Sequence, residues 1–232
     1  MNSTTKVCII CPIHGEFWQK PNSHLNGQGC PKCGRDSISH KLRYNKAYGV
    51  GINDYEGRVF DNRLTHKCYR TWLGMLERCY SKRLKKKYKT YTDCKSCDEW
   101  IYFTKFKEWF DVNYREGFQL DKDILVQGNK TYSPETCCFV PQYINKLLLS
   151  GNSQRDKYKR GVCFRKDINK FIPFINLNGK ITYLGCFNTE NEAFETYKKA
   201  KCEHIKEVAT KALSNGDIDK RVYDALIAYK IE

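Results

Sequence analysis

Two pairs of metal-ligand side chains stand near the start of the chain, and each pair has two residues between its members. The pairs are Cys11-Pro-Ile-His14 and Cys30-Pro-Lys-Cys33, with fifteen residues between them. Two intervening residues let one tight turn present both donors to a single ion, and two such turns complete a tetrahedral shell. Because four protein ligands fill the coordination sphere of Zn²⁺, the pattern predicts a structural zinc site. The alternative is a pair of buried cysteines beside an unrelated histidine.

A second set of polar side chains lies in the segment 118–148. Asp121 ends the strand-like Phe-Gln-Leu run, and Lys122 and Asp123 follow it directly. Pro141 favours the start of a helix that carries Asn145, 24 residues after Asp121. A carboxylate at a strand end and an amide on the following helix can hold one Mg²⁺ or Mn²⁺ ion against a scissile phosphate. The alternative is a solvated hairpin with charged edges.

A second zinc site is one interpretation of the cysteines further along the chain. Adjacent cysteines in an extended strand point to opposite faces, so only one of Cys137 and Cys138 can easily be a ligand. The pattern therefore favours reduced cysteines in an aromatic core over a site built from Cys79, Cys94, Cys97 and Cys137.

The overall charge points to a polyanionic partner. The 41 lysine and arginine residues exceed the 26 acidic residues, giving a net charge of +15. Nucleic acid is the leading candidate, and the basic run 81–89, with Lys85, Lys86 and Lys87, is interpreted as a DNA-backbone contact. The bland alternative for that run is a solvated loop.

No secretory h-region or membrane-length apolar run is present in the sequence, so the expected location is the cytoplasm, without a membrane partner. The thirteen cysteines are an odd number in a long chain, which favours metal ligands and buried thiols over a disulfide framework.

Hydrophobic periodicity predicts the elements that must position these residues. Trp72, Met75, Leu76 and Cys79 fall on one face of a helix, and a second aromatic stripe starts at Trp100. After residue 160, three strand-like runs follow, with Asn178-Gly179 as a hairpin turn. A capping box, Thr189 with Glu192, then opens a helix that can cover one sheet face.

These elements predict an α+β fold of separate modules. The expected ranges are a zinc ribbon at 1–34, a linker at 35–48, a ββα-metal core with aromatic-rich helices at 49–149, a linker at 150–157, a three-stranded sheet with a helix at 158–212, and a C-terminal helix at 213–232.

Three segments resemble known families. The first segment, CPIHGEFWQKPNSHLNGQGCPKCG, resembles a zinc-ribbon module found at the head of bacterial and phage nucleic-acid proteins.

The second resemblance is to a phage and mobile-element branch of the HNH endonucleases. It lies within residues 49–149, in the stretches YRTWLGMLERCY, YKTYTDCKSCDEW and LDKDILVQGNKTYSPETCCFVPQYINKLL. That second resemblance implies that Asp121 and Asn145 bind a catalytic divalent ion. The family's general-base histidine is replaced by Lys122, followed by Asp123, and Thr136 stands where an asparagine often braces the loop. Lys122 is therefore expected at the phosphate, with Asp123 or a metal-bound water as the base.

The third resemblance covers about residues 158–210, through RGV, NGK, LGCF and EAFETY. It is to the ethylene-response-factor (apetala-type) DNA-binding domain, whose three-stranded sheet enters the major groove. By position, it implies that five side chains face DNA: Arg160, Arg165, Lys170, Phe171 and Tyr183. Phe171 and Tyr183 replace the usual tryptophans, so the target sequence does not carry over.

The expected function is a site-directed, divalent-metal-dependent endonuclease acting on double-stranded DNA, of phage or mobile-element type and located in a bacterial host cell. One alternative is a DNA-binding protein on a catalytically inactive HNH scaffold, which the missing histidine favours. An RNA-binding protein is a third interpretation and explains the C-terminal sheet poorly.

Overall fold

Helices alternate with short antiparallel strands along the chain, which confirms the predicted α+β class. The computed structural model describes residues 5–44, 46–60, 62–148, 157–177 and 179–231, with the backbone alone for 39–44. These residues divide into two compact units, Met1–Val112 and Asn113–Glu232. The division falls inside the range predicted for the HNH-like module.

The first unit begins with a hairpin and two helices. Strands β1 (Val7–Cys11) and β2 (Gly15–Gln19) pair antiparallel. Gly15, at φ 74°, allows the turn between them to close in a left-handed conformation that side-chain-bearing residues rarely adopt. Helices α1 (Pro21–Leu25) and α2 (Pro31–Tyr44) follow.

The rest of the first unit is helical and aromatic. It contains α3 (Arg63–Tyr80), α4 (Lys82–Lys87), the short strand β3 (Lys95–Ser96) and α5 (Phe103–Asn113), of which only Asn113 belongs to the second unit. The Asn62 side chain caps α3 by accepting a hydrogen bond from the Thr65 N–H at 2.7 Å.

The predicted apolar stripe of α3 is confirmed. Its four residues are fully buried: Trp72, Met75, Leu76 and Cys79. The second stripe supplies the facing part of the core through Trp100, Phe103, Phe106 and Phe110. The Trp72 indole donates to the Trp100 carbonyl at 2.7 Å, so that the buried N–H is satisfied.

The second unit begins with a hairpin and a helix. Strand β4 (Phe118–Asp121) pairs antiparallel with β6 (Cys138–Pro141), and the loop between them contains the two-residue strand β5 (Thr131–Tyr132). Helix α6 (Gln142–Leu148) starts directly after β6.

A three-stranded antiparallel sheet follows, in the order β7 (Val162–Arg165), β8 (Lys170–Leu177) and β9 (Lys180–Tyr183). Helix α7 (Glu190–Ser214) starts at the predicted capping box, and α8 (Lys220–Ile227) ends the unit. Asn178 of the predicted turn and residues 150–156 of the predicted linker lie outside the described residues.

One hydrophobic core runs through the whole second unit. It joins side chains of the β4–β6 hairpin and α6 to those of the sheet, α7 and α8, among them Ile124, Val140, Ile144, Val162, Ile175, Ala193, Tyr197, Val222 and Leu226. The C-terminal helix therefore packs on its own chain. The hairpin and the sheet are held together by buried apolar side chains rather than by the connecting segment alone.

Candidate metal centre and nucleic-acid interface

The four predicted zinc ligands meet in the first unit. The donor atoms of Cys11, His14, Cys30 and Cys33 all lie within 4.8 Å of one another. The Cys11 and Cys33 sulfurs are 3.5 Å apart, and His14 Nδ1 lies 3.3 Å from Cys33 Sγ and 3.8 Å from each of the other two sulfurs. Zn–S bonds of about 2.3 Å in a tetrahedron place sulfurs about 3.8 Å apart. The donor set therefore fits one structural zinc ion with no open coordination position.

Local structure brings these donors together. Cys11 is the last residue of β1, and His14 stands in the turn just before β2. Cys30 immediately precedes α2 and Cys33 lies in its first turn, where the Gly34 N–H donates to the Cys30 carbonyl at 3.0 Å. Each ligand pair is thus set by a short-range turn, which explains why spacing alone predicted it.

The thiols differ in how readily they ionise. Backbone N–H groups of Ile13 and His14 donate to Cys11 and lower the pKa of its thiol to about 6. Hydrogen bonding to Cys11, together with burial, raises the pKa of Cys33 to about 11. One thiolate therefore forms easily, and the next needs a cation to offset the accumulated negative charge.

Most of the remaining candidate cysteines are buried: Cys79, Cys94, Cys137 and Cys138 are buried and Cys97 is half-buried. Cys94 donates to the Thr90 carbonyl at 3.6 Å. Burial raises the pKa of Cys137 to about 12 and also raises that of Cys138. Zinc binds thiolates, and burial favours the protonated form of Cys137 and Cys138. In the described part of the chain, the N-terminal four are the only group of three or more Cys, His, Asp or Glu side chains placed to share an ion.

Asp121 lies at the end of β4, as predicted, and organises the turn that follows. Its Oδ1 accepts hydrogen bonds from the backbone N–H groups of Asp123 at 2.7 Å and Ile124 at 2.8 Å. Burial raises the pKa of the Asp121 carboxyl, and these two hydrogen bonds oppose that rise. The carboxylate is therefore held in one orientation and is half-buried.

Asp121 and Asn145 lie on the same side of the hairpin. The antiparallel register pairs Gln119 with Val140 and Asp121 with Cys138, so these four side chains share one face. Asn145 on α6 donates through Nδ2 to Gln119 Oε1 at 3.1 Å, which places α6 over that face. The strand-end carboxylate of Asp121 and the helix amide of Asn145 thus lie on one side of a ββα element, with Asn145 bonded to Gln119, two residues before Asp121.

The Lys122 side chain is buried inside the hairpin loop. This corrects the expectation that its ammonium contacts a phosphate. The residue is only 6% exposed. Its ammonium donates to Asp123 Oδ1 at 2.5 Å and to the Asn129 carbonyl at 2.6 Å. Because the Asp123 carboxylate is ion-paired to Lys122, both side chains are engaged in structure.

Asn129 is a structural residue that the sequence reasoning missed. Its Nδ2 donates to the carbonyls of Lys122 at 2.8 Å and Thr131 at 2.6 Å, and its Oδ1 accepts from the Thr131 N–H at 3.0 Å. The Thr136 hydroxyl, at the position where the family has an asparagine, donates to the Thr131 carbonyl at 2.8 Å. The Gly-Asn turn marked the loop but not this bracing role.

One face of the three-stranded sheet in the second unit packs against the hydrophobic core, and the other face does not. Strand register pairs Arg165 with Lys170 and Phe174 with Tyr183, and alternation along β8 places these four side chains on one face, which we call the open face. Tyr183 is 69% exposed. The opposite face carries Val162 and Ile175 into the hydrophobic core.

The open-face cations are held by neighbours. Arg165 donates to both carboxylate oxygens of Asp167, at 2.8 and 2.5 Å, and the guanidinium lowers the pKa of that carboxyl to about 2. Lys170 donates to the Asn188 side chain. Such pairing fixes the direction of long basic side chains at an exposed surface.

Two predicted DNA-facing residues lie elsewhere. Phe171 stands on the core side of β8, where it packs edge-on against Tyr158 and lies 4.9 Å from the Phe164 ring centroid. Because side chains alternate along a strand, Phe171 and Lys170 point to opposite faces of the sheet. A single sheet face therefore cannot present both to DNA. Arg160 precedes β7 and donates to the Leu148 carbonyl at 3.3 Å, which directs it toward α6.

The basic run forms the short helix α4. Its Ser81 cap accepts a hydrogen bond from the Leu84 N–H, and Lys85 donates to the Thr92 carbonyl at 2.9 Å. Lys86 and Lys87 are exposed, and the Lys87 ammonium lies 5.0 Å from the Tyr88 ring centroid. The run is thus an ordered cationic surface.

Comparison with known proteins adds information at the N-terminus. A family model described as "protein of unknown function (DUF723)" matches residues 1–34, which contain all four zinc ligands. A 59-residue segment is 34% identical to part of the histone-lysine N-methyltransferase set9 of Emericella nidulans; it represents 25% of this chain and 9% of that protein. No solved structure matches the chain significantly. Among the helices that the structure describes, none has the length and apolarity needed to cross a bilayer.

Proposed function

We propose that the protein is a zinc-stabilised, divalent-metal-dependent DNA endonuclease. The observation that carries the proposal is the placement of Asp121 and Asn145 on one side of the β4–β6 hairpin, with α6 packed over it. This is the arrangement in which a carboxylate oxygen and an amide oxygen can bind one Mg²⁺ or Mn²⁺ ion. Such an ion, when bound, supplies Lewis-acid stabilisation of charge on a phosphate.

The chain's own residues prepare this position. Backbone N–H groups fix the Asp121 carboxylate, and the Lys122–Asp123 pair with Asn129 holds the following loop. Burial raises the pKa of Asp121, and a bound cation would counter that rise by stabilising the ionised form. Gln119 orients Asn145 through its amide hydrogen bond.

The open face supports double-stranded DNA as the substrate. Arg165, Lys170 and Tyr183 are presented on one side of a three-stranded sheet, on a chain of net charge +15. Basic side chains neutralise phosphates, whereas groups on a sheet in the major groove can reach base edges. The α4 lysines are suited to backbone contact, which positions DNA without reading its sequence.

A cleavage assay tests the proposal. Supercoiled and linear DNA is incubated with the purified chain and Mg²⁺, Mn²⁺ or a chelator that leaves the structural zinc in place. We expect nicks or breaks with Mg²⁺ or Mn²⁺ and none with the chelator. Asp121→Asn retains an oxygen for the two backbone N–H groups but loses the charge, and should abolish cleavage. Intact DNA under all metals, with normal folding and binding, would contradict the proposal.

A second candidate function is DNA binding without cleavage. It is favoured by the burial of Lys122 and its ion pair with Asp123, because the two residues expected beside Asp121 are engaged in structure. This candidate predicts tight DNA binding, with the logarithm of the association constant falling linearly as the logarithm of salt concentration rises. The Asp121→Asn chain should bind DNA as the wild type does.

A further inference from the structure

We infer that Asp36 is a positioning residue for the zinc site and that it couples zinc binding to the segment 53–60 through Arg58. The observation is a chain of contacts from the metal ligand outward. His14 Nε2 lies 2.8 Å from Asp36 Oδ2, and the other oxygen of Asp36 accepts a hydrogen bond from Arg58 Nη2. Neither Asp36 nor Arg58 belongs to the ligand set.

The geometry assigns separate tasks to the two imidazole nitrogens of His14. Nδ1 points at the sulfurs of Cys11, Cys30 and Cys33, at 3.3–3.8 Å, and is the atom that can bind zinc. Nε2 faces Asp36 and must carry the proton that it donates there. A carboxylate in this position fixes the tautomer that leaves Nδ1 free, and makes that nitrogen a better donor to the metal.

The helix explains why Asp36 reaches the site. Cys33 and Asp36 are three residues apart on α2, so their side chains lie on neighbouring positions of one helix face. One turn of helix thus supplies both a metal ligand and the carboxylate behind another ligand. The sequence offers no separate signal for this role, because His14 is twenty-two residues away.

Arg58 extends the contact to a different part of the first unit. It lies in an irregular segment next to Val59, which is 2% exposed and anchors that segment in the core. Asp36 therefore receives an oriented guanidinium on one oxygen and the His14 ring on the other. Because coupling between two equilibria is reciprocal, zinc binding should stabilise this segment as much as the segment strengthens zinc binding.

The expected effects differ in size along the chain of contacts. Loss of a carboxylate behind a metal-bound histidine typically weakens metal affinity about 10–100-fold, which we expect for Asp36→Asn. The Asp36 and Arg58 side chains are 40% and 38% exposed, so water screens their pair. Arg58→Gln should therefore weaken zinc affinity only about twofold to fivefold.

The test measures zinc affinity of the full chain by competition with a chromophoric chelator. The variants are Asp36→Asn, Arg58→Gln and the double variant, with the exposed residues Asp93→Asn and Arg35→Gln as charge-matched controls. We expect the controls to match the wild type. The double variant should lose no more affinity than Asp36→Asn alone, because Arg58 acts only through Asp36. Wild-type affinity in Asp36→Asn, or additive losses in the double variant, would overturn the inference.

Two further readouts separate positioning from general loss of folding. The Co²⁺-loaded Asp36→Asn chain should keep the absorption bands of a tetrahedral Cys₃His site, with unchanged tryptophan fluorescence at saturating metal. Hydrogen exchange of residues 53–60 should accelerate on metal removal in the wild type and much less so in Arg58→Gln. Equal acceleration in both chains would show that zinc does not act on this segment through Arg58.

Discussion

Replacing Lys122 by methionine tests whether this lysine serves structure or chemistry. Methionine keeps the apolar stem and removes an ammonium that donates to Asp123 and to the Asn129 carbonyl. A hydrogen bond to a charged group contributes roughly 1.5–3 kcal/mol. Two effects reduce this loss of stability. The Asp123 side chain is 51% exposed, so water replaces the ammonium as its partner, and methionine carries no charge that folding would have to desolvate. We expect a net destabilisation of about 2 kcal/mol.

Hydrogen exchange measures this change where it occurs. About 2 kcal/mol corresponds to roughly 30-fold faster exchange of the amides in β4 and β6 when they exchange by opening of this unit. All four tryptophans lie before residue 113, so their fluorescence follows the first unit and serves as an internal reference. Lys146→Met, on the exposed side of α6, is the matched control. Wild-type exchange rates in Lys122→Met, combined with loss of DNA cleavage, would refute the structural role of Lys122. They would support the expected contact between its ammonium and a phosphate.

Three more predictions concern the second unit and the basic helix. Gly161→Ala should destabilise the unit by about 2–4 kcal/mol in urea denaturation followed by circular dichroism, because φ is 70° and a Cβ would lie 2.2 Å from the Tyr197 ring; unchanged stability would contradict this packing. Burial, and next Arg160, lower the pKa of Lys201 from 10.5 to about 8. The unfolded chain then binds more protons between about pH 8 and 10.5, so unfolding free energy should rise with pH there. Lys201→Met should remove that rise and stabilise the unit by about 1–3 kcal/mol at pH 7; a persisting rise would assign it to another group. Glutamine at Lys85–Lys87 should flatten the salt dependence of DNA binding by up to about three in log–log slope, and an unchanged slope would remove α4 from the interface.

Features set by short stretches of sequence were predictable. The two ligand pairs lie in tight turns, the α3 stripe follows from helical period, and Thr189 with Glu192 forms the expected capping box. Each depends on residues within about two helical turns of one another, where spacing determines geometry.

Features that depend on distant partners were not predictable from spacing. The burial of Lys122 depends on Asn129 folding back across the loop, and the position of Phe171 follows from strand alternation in a sheet whose core side is set by α7. Asp36 meets His14 through the tertiary fold, because the two residues are far apart in sequence. The common core of hairpin and sheet likewise arises from apolar side chains brought together by the tertiary fold.

The most direct test of the endonuclease proposal is the single-turnover cleavage rate of protein-saturated DNA by the wild type, Asp121→Asn and Lys122→Met in Mg²⁺ or Mn²⁺. We predict that the wild type cleaves, that Asp121→Asn loses at least about 100-fold while binding DNA normally, and that Lys122→Met retains cleavage in proportion to its folded fraction. Equal cleavage by the wild type and Asp121→Asn, or no cleavage by a folded, DNA-bound wild type, would contradict the assignment of Asp121 as the catalytic metal ligand.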